Sequence, residues 1–239
     1  MTVADLDVLY EDNHIIAINK PAGMLVQGDK TGDETLGDIV KQYLKLQYNK
    51  PGEVFLGVVH RIDRPVSGIV LYARTTKALT RLNELFQKRE VQKTYWAIVQ
   101  TRPENPEAKL IQWLRKNEEK NMSKVQAEGS KGALRCELDY SLLAESDRYY
   151  LLEVNPHTGR HHQIRVQLST IGCIIKGDLK YGAKRSNPDG SICLHARAIQ
   201  FMHPVRKEPI QITAPVPKDA LWQAFEKMIM VTNSPPPNA

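Results

Sequence analysis

Hydrophobic and polar residues follow two kinds of spacing along the chain, and each spacing predicts one type of secondary structure. Alternating or short continuous apolar runs predict strands, as over residues 91–99 and 194–201. Apolar residues spaced three and four positions apart predict amphipathic helices over residues 35–44, 76–89 and 220–230. The chain is therefore expected to combine strands with helices that each bury one face.

A polar loop interrupts two apolar runs within residues 58–72. Its one carboxylate, Asp63, stands among His60, Arg61 and Arg64, and a turn with proline and glycine follows. A loop between two buried strands exposes a side chain while holding it in place, as a catalytic site requires. An ordinary Arg–Asp ion pair on a hairpin would give the same pattern, so this stretch alone leaves both interpretations open.

A second basic stretch begins at a turn with proline and glycine and leads into a predicted helix. Ile164 and Leu168 are expected to face the core, whereas Arg160, His161 and Arg165 are expected to line a polar face. The face is basic and begins at a helix N-terminus, where backbone N–H groups attract anions. It is therefore a candidate surface for phosphate groups.

Two lysines and a tyrosine near predicted strand ends are further candidates. Lys20 precedes a Pro-Ala-Gly break, where it would meet a phosphate or a carboxylate, or be a solvated lysine. Lys93 and Tyr95 share one face of their predicted strand because side chains alternate along a strand. A tyrosine near a carboxylate site would stack on a base, although it would equally cap a core.

The charged stretch over residues 115–131 predicts an exposed hairpin or loop. It is nearly free of large apolar residues, and its charges alternate in sign. Its lysines would either contact RNA or form a solvated face, and the pattern favours the solvated face.

The histidines and cysteines form no pattern typical of a metal site or a disulfide framework. Three histidines lie within residues 157–162, but no acidic or cysteine partner has matching spacing. Three cysteines lie far apart, and an odd number argues against disulfides and for a reducing compartment. We therefore expect no metal and a cytoplasmic location.

Length and charge bound the class of protein. The 239 residues are 41% hydrophobic, enough for a sizeable core without disulfides or metal. The formal net charge of +6 favours a polyanionic partner.

No signal pattern or membrane-length apolar run occurs, so no membrane association is expected. Without a visible linker, we expect one domain over residues 1–230 and a disordered proline-rich tail over residues 231–239.

Five motifs occur in a fixed order between residues 19 and 204, and together they resemble the RluA family of RNA pseudouridine synthases. They are NKPAGMLV at 19–26, HRIDRPVSG at 60–68, KTY at 93–95, TGRHHQIR at 158–165 with GD and YG at 177–182, and LHA with FMHP at 194–204. Val66 departs from the family motif, in which threonine is usual. No S4-type RNA-binding domain precedes the first strand, so the form of the family without that domain is expected.

The resemblance implies a fold and a set of roles. The fold is α+β: a mixed, mostly antiparallel, bent β-sheet with flanking helices and a central RNA-binding cleft. Asp63 would be the catalytic aspartate, Arg165 its partner, and Arg61 the side chain that enters the RNA helix as the target uridine leaves. Tyr95 would stack on the flipped uracil and assist proton removal at C5. The remaining RNA-binding candidates are His60, Arg64, Lys20, Lys93, Arg160 and His161.

The implied activity is isomerisation of specific uridines to pseudouridine in structured tRNA, rRNA or both. It needs no metal and no organic cofactor, because neither a redox change nor hydrolysis occurs. We expect a monomer without an obligate protein partner. Two alternatives come from other classes: a catalytically idle RNA-binding or RNA-folding protein on the same fold, and a metal-dependent hydrolase that uses the histidines.

Overall fold

The computed structural model describes residues 2–28 and 31–233. The chain divides into two compact units. Unit 1 comprises Met1–Thr94, Pro188–Ser191 and Ala196–Pro215, and unit 2 comprises Tyr95–Asn187, Ile192–His195 and Val216–Ala239. One of the five boundaries between the units falls inside a strand, between Thr94 and Tyr95. The expectation of one domain over residues 1–230 stays a prediction.

The chain combines strands with helices, as the hydrophobic pattern predicts. The strands are β1 (Val8–Glu11), β2 (Ile15–Lys20), β3 (Gly57–Val58), β4 (Ser67–Ala73), β5 (Gln92–Val99), β6 (Glu107–Asn117), β7 (Met122–Gln126), β8 (Leu134–Glu145), β9 (Tyr150–Pro156), β10 (Leu194–Met202) and β11 (Pro209–Thr213). The helices are α1 (Leu36–Gln47), α2 (Thr76–Lys88), α3 (Gln163–Thr170) and α4 (Ala220–Asn233). This mixture is that of the predicted α+β class.

Unit 1 is a sheet with strand order β1-β2-β4-β10, in which β3 also pairs with β4 and β11 with β10. The pairs β1–β2, β2–β4, β3–β4 and β10–β11 are antiparallel. One core joins these strands to helix α2, with Ile15, Leu71, Leu82, Phe201 and Ile212 buried together. Burial of these apolar side chains stabilises the strands that flank the polar loop of residues 58–72.

Threonines begin both helices of unit 1. The Thr35 hydroxyl accepts the Asp38 backbone N–H, and the Asp38 carboxylate accepts the Thr35 N–H, which makes a capping box. Thr75 accepts the Ala78 N–H in the same way at the start of α2.

Gly68 lies where strand β4 passes very close to strand β10. Its φ of +109° is in a region that residues with a side chain rarely adopt. A Cβ at this position would lie within 3 Å of backbone atoms of Ala196. The close approach of the two backbones therefore requires glycine, and it does so at the end of the loop that carries Asp63.

Unit 2 has the strand order β5-β9-β8-β6-β7, and each of these pairs is antiparallel. Strands β6 and β7 form a hairpin, which confirms that interpretation of residues 115–131. Helix α3 packs its Val166 against Leu114 of β6 and Cys136 of β8. The hairpin and helix α3 are thus parts of one packed unit.

Helix α4 ends three residues later than the pattern predicts. Its apolar positions Trp222 and Phe225 are buried, and the helix continues to Asn233. The first residues of the predicted tail are therefore helical, and residues 234–239 lie outside the described part of the chain. Within the described residues, no helix is both long and apolar enough to cross a bilayer.

Candidate active site and RNA-binding residues

Asp63 lies in the loop that connects β3 to β4 in unit 1, and its side chain is partly exposed. The Asp63 carbonyl accepts the Val66 N–H at 3.0 Å, which closes a turn directly after the carboxylate. Val66 itself is only 2% exposed. The family's usual threonine is thus replaced by an apolar side chain at a buried position, where valine is readily accommodated.

Lys20 anchors the loop just after Asp63. Its side chain is 0% exposed, and Nζ donates to the carbonyls of Pro21 and Met24, each at 2.9 Å, and of Arg64 at 3.2 Å. Burial lowers the pKa of Lys20 to about 7, although the Asp63 charge opposes the shift. The interpretation as a solvated lysine is wrong because the side chain is buried inside unit 1, where Nζ donates to backbone carbonyls. Its predicted contact with RNA stays a prediction.

Arg64 reinforces the same connection from the surface. The Gly23 N–H donates to the Arg64 carbonyl at 2.7 Å, and Arg64 Nε donates back to the Gly23 carbonyl at 2.9 Å. The guanidinium also forms a 2.8 Å ion pair with Asp33, and both side chains are about half exposed. Its predicted contact with RNA stays a prediction.

His60 anchors the beginning of the loop. Its Nε2 accepts the Leu71 backbone N–H at 2.9 Å, and its ring stacks on Phe86 with centroids 5.2 Å apart. Burial and the nearby Lys93 charge lower the pKa of His60 to about 3. The imidazole is therefore neutral at physiological pH, so it brings no positive charge to a phosphate.

Arg61 differs from its neighbours because it is exposed and makes no hydrogen bond or ion pair with any residue that the structure describes. It lies two positions before Asp63. Its guanidinium is thus available to a partner outside the chain, as its predicted role requires.

Strand β5 carries Lys93 and Tyr95 at alternate positions, which puts both on one face of the strand. Both side chains are partly buried. Burial lowers the pKa of Lys93. In unit 2, Tyr95 is paired with Val154 of β9, which holds its backbone in a regular antiparallel ladder.

Arg165 is buried in unit 2 rather than placed on a polar helix face. It is 5% exposed, and its Nε and Nη2 donate to the two carboxylate oxygens of Asp178, each at 2.7 Å. The guanidinium also lies over the Tyr181 ring, 5.1 Å from the centroid. The predicted polar face is thus wrong for Arg165. Sequence reasoning missed Asp178 as a partner, although it lies in the GD motif.

His161 and Arg160 precede helix α3 instead of lining it. The His161 ring contacts Ser123 Oγ and Asn121 Oδ1, each at 3.0 Å, and its carbonyl accepts the Ser123 hydroxyl at 2.7 Å. His161 therefore ties the β6–β7 hairpin to the start of α3. The side chain of Arg160 is exposed and its Nε donates to the Arg135 carbonyl at 3.4 Å. Contacts of His161 and Arg160 with RNA stay predictions.

A family model described as RNA pseudouridylate synthase matches residues 14–170, which contain Asp63, Tyr95 and Arg165. The chain belongs to this family. Its relatives include the ribosomal large subunit pseudouridine synthase C of Vibrio cholerae, 34% identical over 95% of this chain and 71% of the relative. The tRNA pseudouridine synthase C of the same organism is 32% identical over 92% of this chain and 94% of the relative. The resemblance to RluA-type pseudouridine synthases is confirmed.

Solved structures confirm the fold. Human RNA pseudouridylate synthase domain containing 4 superposes with a TM-score of 0.77 at 23% identity, over 94% of this chain and 93% of that one. Human RNA pseudouridylate synthase domain containing 1 gives a TM-score of 0.72 at 22% identity, over 100% and 99%. The α+β pseudouridine synthase fold predicted from the motifs is therefore the fold of this chain.

Proposed function

We propose that this pseudouridine synthase isomerises specific uridines in structured tRNA, rRNA or both, with Asp63 as the catalytic carboxylate. The observation that carries the proposal is the loop of unit 1. It presents a partly exposed carboxylate between two backbone positions, residues 60 and 64, that hydrogen bonds of the His60 and Lys20 side chains fix. Relatives named for ribosomal and for tRNA substrates support both RNA classes.

The reaction breaks the bond between ribose C1′ and uracil N1, rotates the base, and joins C1′ to C5. The C5 hydrogen then leaves as a proton, and N1 gains a proton. A carboxylate contributes either by adding to C1′ as a nucleophile or by removing a proton from the sugar. Asp63 is suited to both routes, since its loop exposes it while fixing its backbone. No oxidant, reductant or water is consumed, so this chain's own residues are sufficient for the chemistry.

A uridine inside an RNA helix has to be flipped out before Asp63 reaches its sugar, at a cost of a few kcal/mol. We assign Arg61 to the vacated space because its exposed guanidinium has no partner among the described residues. Stacking of the flipped uracil on Tyr95 would return about 1–3 kcal/mol. The two residues together would offset most of the cost of flipping.

Arg165 is proposed to act on Asp63 through its permanent positive charge. Its buried pairing with Asp178 supports this role, because a guanidinium held by two hydrogen bonds has a fixed direction. The pairing of Arg165 with Asp63 stays a prediction. We also propose that the protein is a cytoplasmic monomer, as its free cysteines suggest for the compartment.

Release of tritium from C5-labelled uridine in bulk tRNA and rRNA tests the proposal. The wild-type protein should release tritium, and Asp63→Asn should lower the rate at least about 100-fold. Binding of RNA by Asp63→Asn should be retained. Asp147→Asn, the same change at an exposed aspartate of unit 2, is the matched control and should leave the rate unchanged.

Equal release by wild type and Asp63→Asn would remove Asp63 from the mechanism. RNA binding by the wild type without any release from either RNA class would instead favour the idle RNA-binding protein. Stoichiometric metal in the purified protein, without tritium release, would favour the hydrolase.

A further inference from the structure

The start of the Asp63 loop is attached to the sheet by a side chain instead of by strand pairing. Strand β3 pairs with β4 at only two positions, Gly57 with Ala73 and Val58 with Tyr72, and the chain then leaves the sheet. The next N–H of β4, that of Leu71, donates to a ring nitrogen rather than to a carbonyl. This nitrogen takes the place of the acceptor that a longer β3 would supply.

The nitrogen belongs to His60, and its environment fixes the protonation state of the ring. Because Nε2 accepts the Leu71 N–H, the proton of the neutral ring is on Nδ1. A protonated ring has no acceptor and would break this bond. Stacking on Phe86 of helix α2 holds the ring plane from another side. Burial, which keeps the pKa of His60 at about 3, therefore also keeps the bond intact.

We propose that His60 is a positioning residue for Asp63: its neutral ring pins the start of the loop to strand β4, and it neither binds RNA nor transfers a proton. The inference rests on the proposed function, in which Asp63 is catalytic. Lys20 holds the loop on the other side of Asp63, at the Arg64 carbonyl. Asp63 therefore lies between two anchored positions of the backbone. It is three residues after His60 and one residue before Arg64.

The expected effect is on turnover and not on affinity. An error of about 1 Å in the position of a reacting group lowers a rate by about 100-fold. The neutral ring makes no electrostatic contribution to RNA binding, which depends on cationic contacts with phosphates. Loss of the anchor should thus lower kcat while the Kd for RNA and its salt dependence stay as in the wild type.

Three substitutions separate the roles that a histidine could have. Glutamine offers an amide oxygen near the place of Nε2 and keeps the acceptor. Phenylalanine keeps a ring over Phe86 and removes the acceptor, and asparagine keeps an amide that is too short to reach Leu71. We expect His60→Gln to retain kcat within a few-fold, and His60→Phe and His60→Asn to lose about 100-fold, with one common Kd for RNA.

Each other role predicts a different result. Full activity in His60→Phe and His60→Asn would overturn the positioning role. Weaker RNA binding by His60→Gln would identify a contact with RNA, and a loss of kcat in His60→Gln as large as in His60→Phe would identify a proton-transfer role. A wild-type protein that releases no tritium would overturn the proposed function instead, so the two failures are distinguishable.

Nitrogen-15 NMR of histidine-labelled full-length protein tests the anchor without any assay of activity. His60 should be the Nδ1–H tautomer from pH 5 to pH 8, and its Nε2 should stay unprotonated throughout. The Leu71 amide should exchange with solvent much faster in His60→Phe than in His60→Gln. Titration of the His60 ring near its ordinary pKa, or equal Leu71 exchange in both variants, would overturn the inference.

Discussion

Lys20 in unit 1 and Arg165 in unit 2 are cationic side chains that lie buried in the protein. Lys20 is 0% exposed and Arg165 is 5% exposed. Each donates to acceptors within its own unit, backbone carbonyls for Lys20 and the Asp178 carboxylate for Arg165. Burial of a cation is favourable only where such acceptors replace the water that it loses. The hydrogen bonds of both side chains therefore stabilise the protein itself.

The depressed pKa of Lys20 makes stability depend on pH. Its pKa falls from 10.5 to about 7 on folding, so between these values the unfolded chain binds more protons than the folded protein. The free energy of unfolding should therefore rise with pH across this window, by at most about 1.4 kcal/mol per pH unit from this group. Urea denaturation of wild type and Lys20→Met from pH 6 to pH 10 measures the contribution as the difference in slope.

Lys41→Met is the control for this experiment, because Lys41 is an exposed lysine of helix α1. It should keep the slope of the wild type, whereas Lys20→Met should flatten it. Parallel curves for wild type and Lys20→Met would show that the Lys20 ammonium keeps its ordinary pKa when the protein folds.

At the level of single residues, the sequence indicates which side chains matter but not how deep they lie. The motif order places Asp63, Lys20 and Arg165 in family segments, and the matching family model covers all three positions. Their partners are invisible in the sequence because Lys20 bonds to the carbonyl of Arg64, a contact that only the tertiary fold creates. His60 is an RNA-binding candidate by the family resemblance alone, and the sequence does not show that burial lowers the pKa of its ring.

At the level of elements, the β6–β7 hairpin carries a pair of like charges that nothing in the described structure neutralises. Arg115 and Lys124 are directly opposite each other in the two strands, and both are exposed. Neither forms an ion pair or a side-chain hydrogen bond with any described residue. Like charges in this arrangement destabilise a hairpin, so a polyanionic partner such as RNA would relieve the repulsion. His161 keeps the hairpin in place through Asn121 and Ser123.

Reversal of one of these charges should have opposite effects on folding and on binding. Lys124→Glu places a carboxylate opposite Arg115, which should stabilise the protein by about 0.2–1 kcal/mol. The same change should weaken RNA binding and make its salt dependence less steep, because a contact with phosphate is lost. Thermal unfolding and RNA titrations at several salt concentrations measure the two effects.

Lys50→Glu makes the same charge change at an exposed position of unit 1, and it controls for the change in net charge. A smaller effect of Lys50→Glu on RNA affinity would locate binding on the hairpin. Equal losses of affinity in both variants would mean that only the overall charge matters and that the hairpin face is solvated.

The start of a helix was predictable where a capping residue marks it. The face of a helix was not predictable where the whole helix is buried. Thr35 and Thr75 begin their helices as their side chains suggest. Helix α3 was expected to have a polar face, but every residue from Gln163 to Leu168 is buried. A helix that is buried on all sides need not have a hydrophobic periodicity that distinguishes a buried face from an exposed one. Its polar residues then form hydrogen bonds within the protein and not with solvent.

For the whole molecule, the excess of cations predicts salt-dependent RNA binding. The chain has 33 lysines and arginines against 27 acidic residues. Binding to RNA should release counterions, so log Kd should rise linearly with log salt, with a slope of about 0.7–0.9 per neutralised phosphate. Filter binding of bulk tRNA from 50 to 400 mM KCl measures the slope. A Kd that does not depend on salt concentration would contradict recognition of RNA phosphates by the basic residues of the protein.

The fold class was predictable because five motifs in order specify a family, and a family shares its fold. The division into two units was not predictable. Two of its five boundaries fall inside strands β5 and β10, where the hydrophobic pattern is continuous and no linker composition marks a change. Sequence methods recognise a boundary by flexible, polar connections, and a boundary inside a regular strand has none.

The contact between Gly68 and Ala196 also limits what protein engineering can do with this site. The carboxylate-bearing loop ends against a strand that is synthesised far later in the chain, with room between the two backbones for a hydrogen atom alone. A designer who transplants the loop into a new scaffold has to bring both segments and their spacing. The loop therefore cannot be transferred alone, because its conformation also depends on a strand that is distant in the sequence.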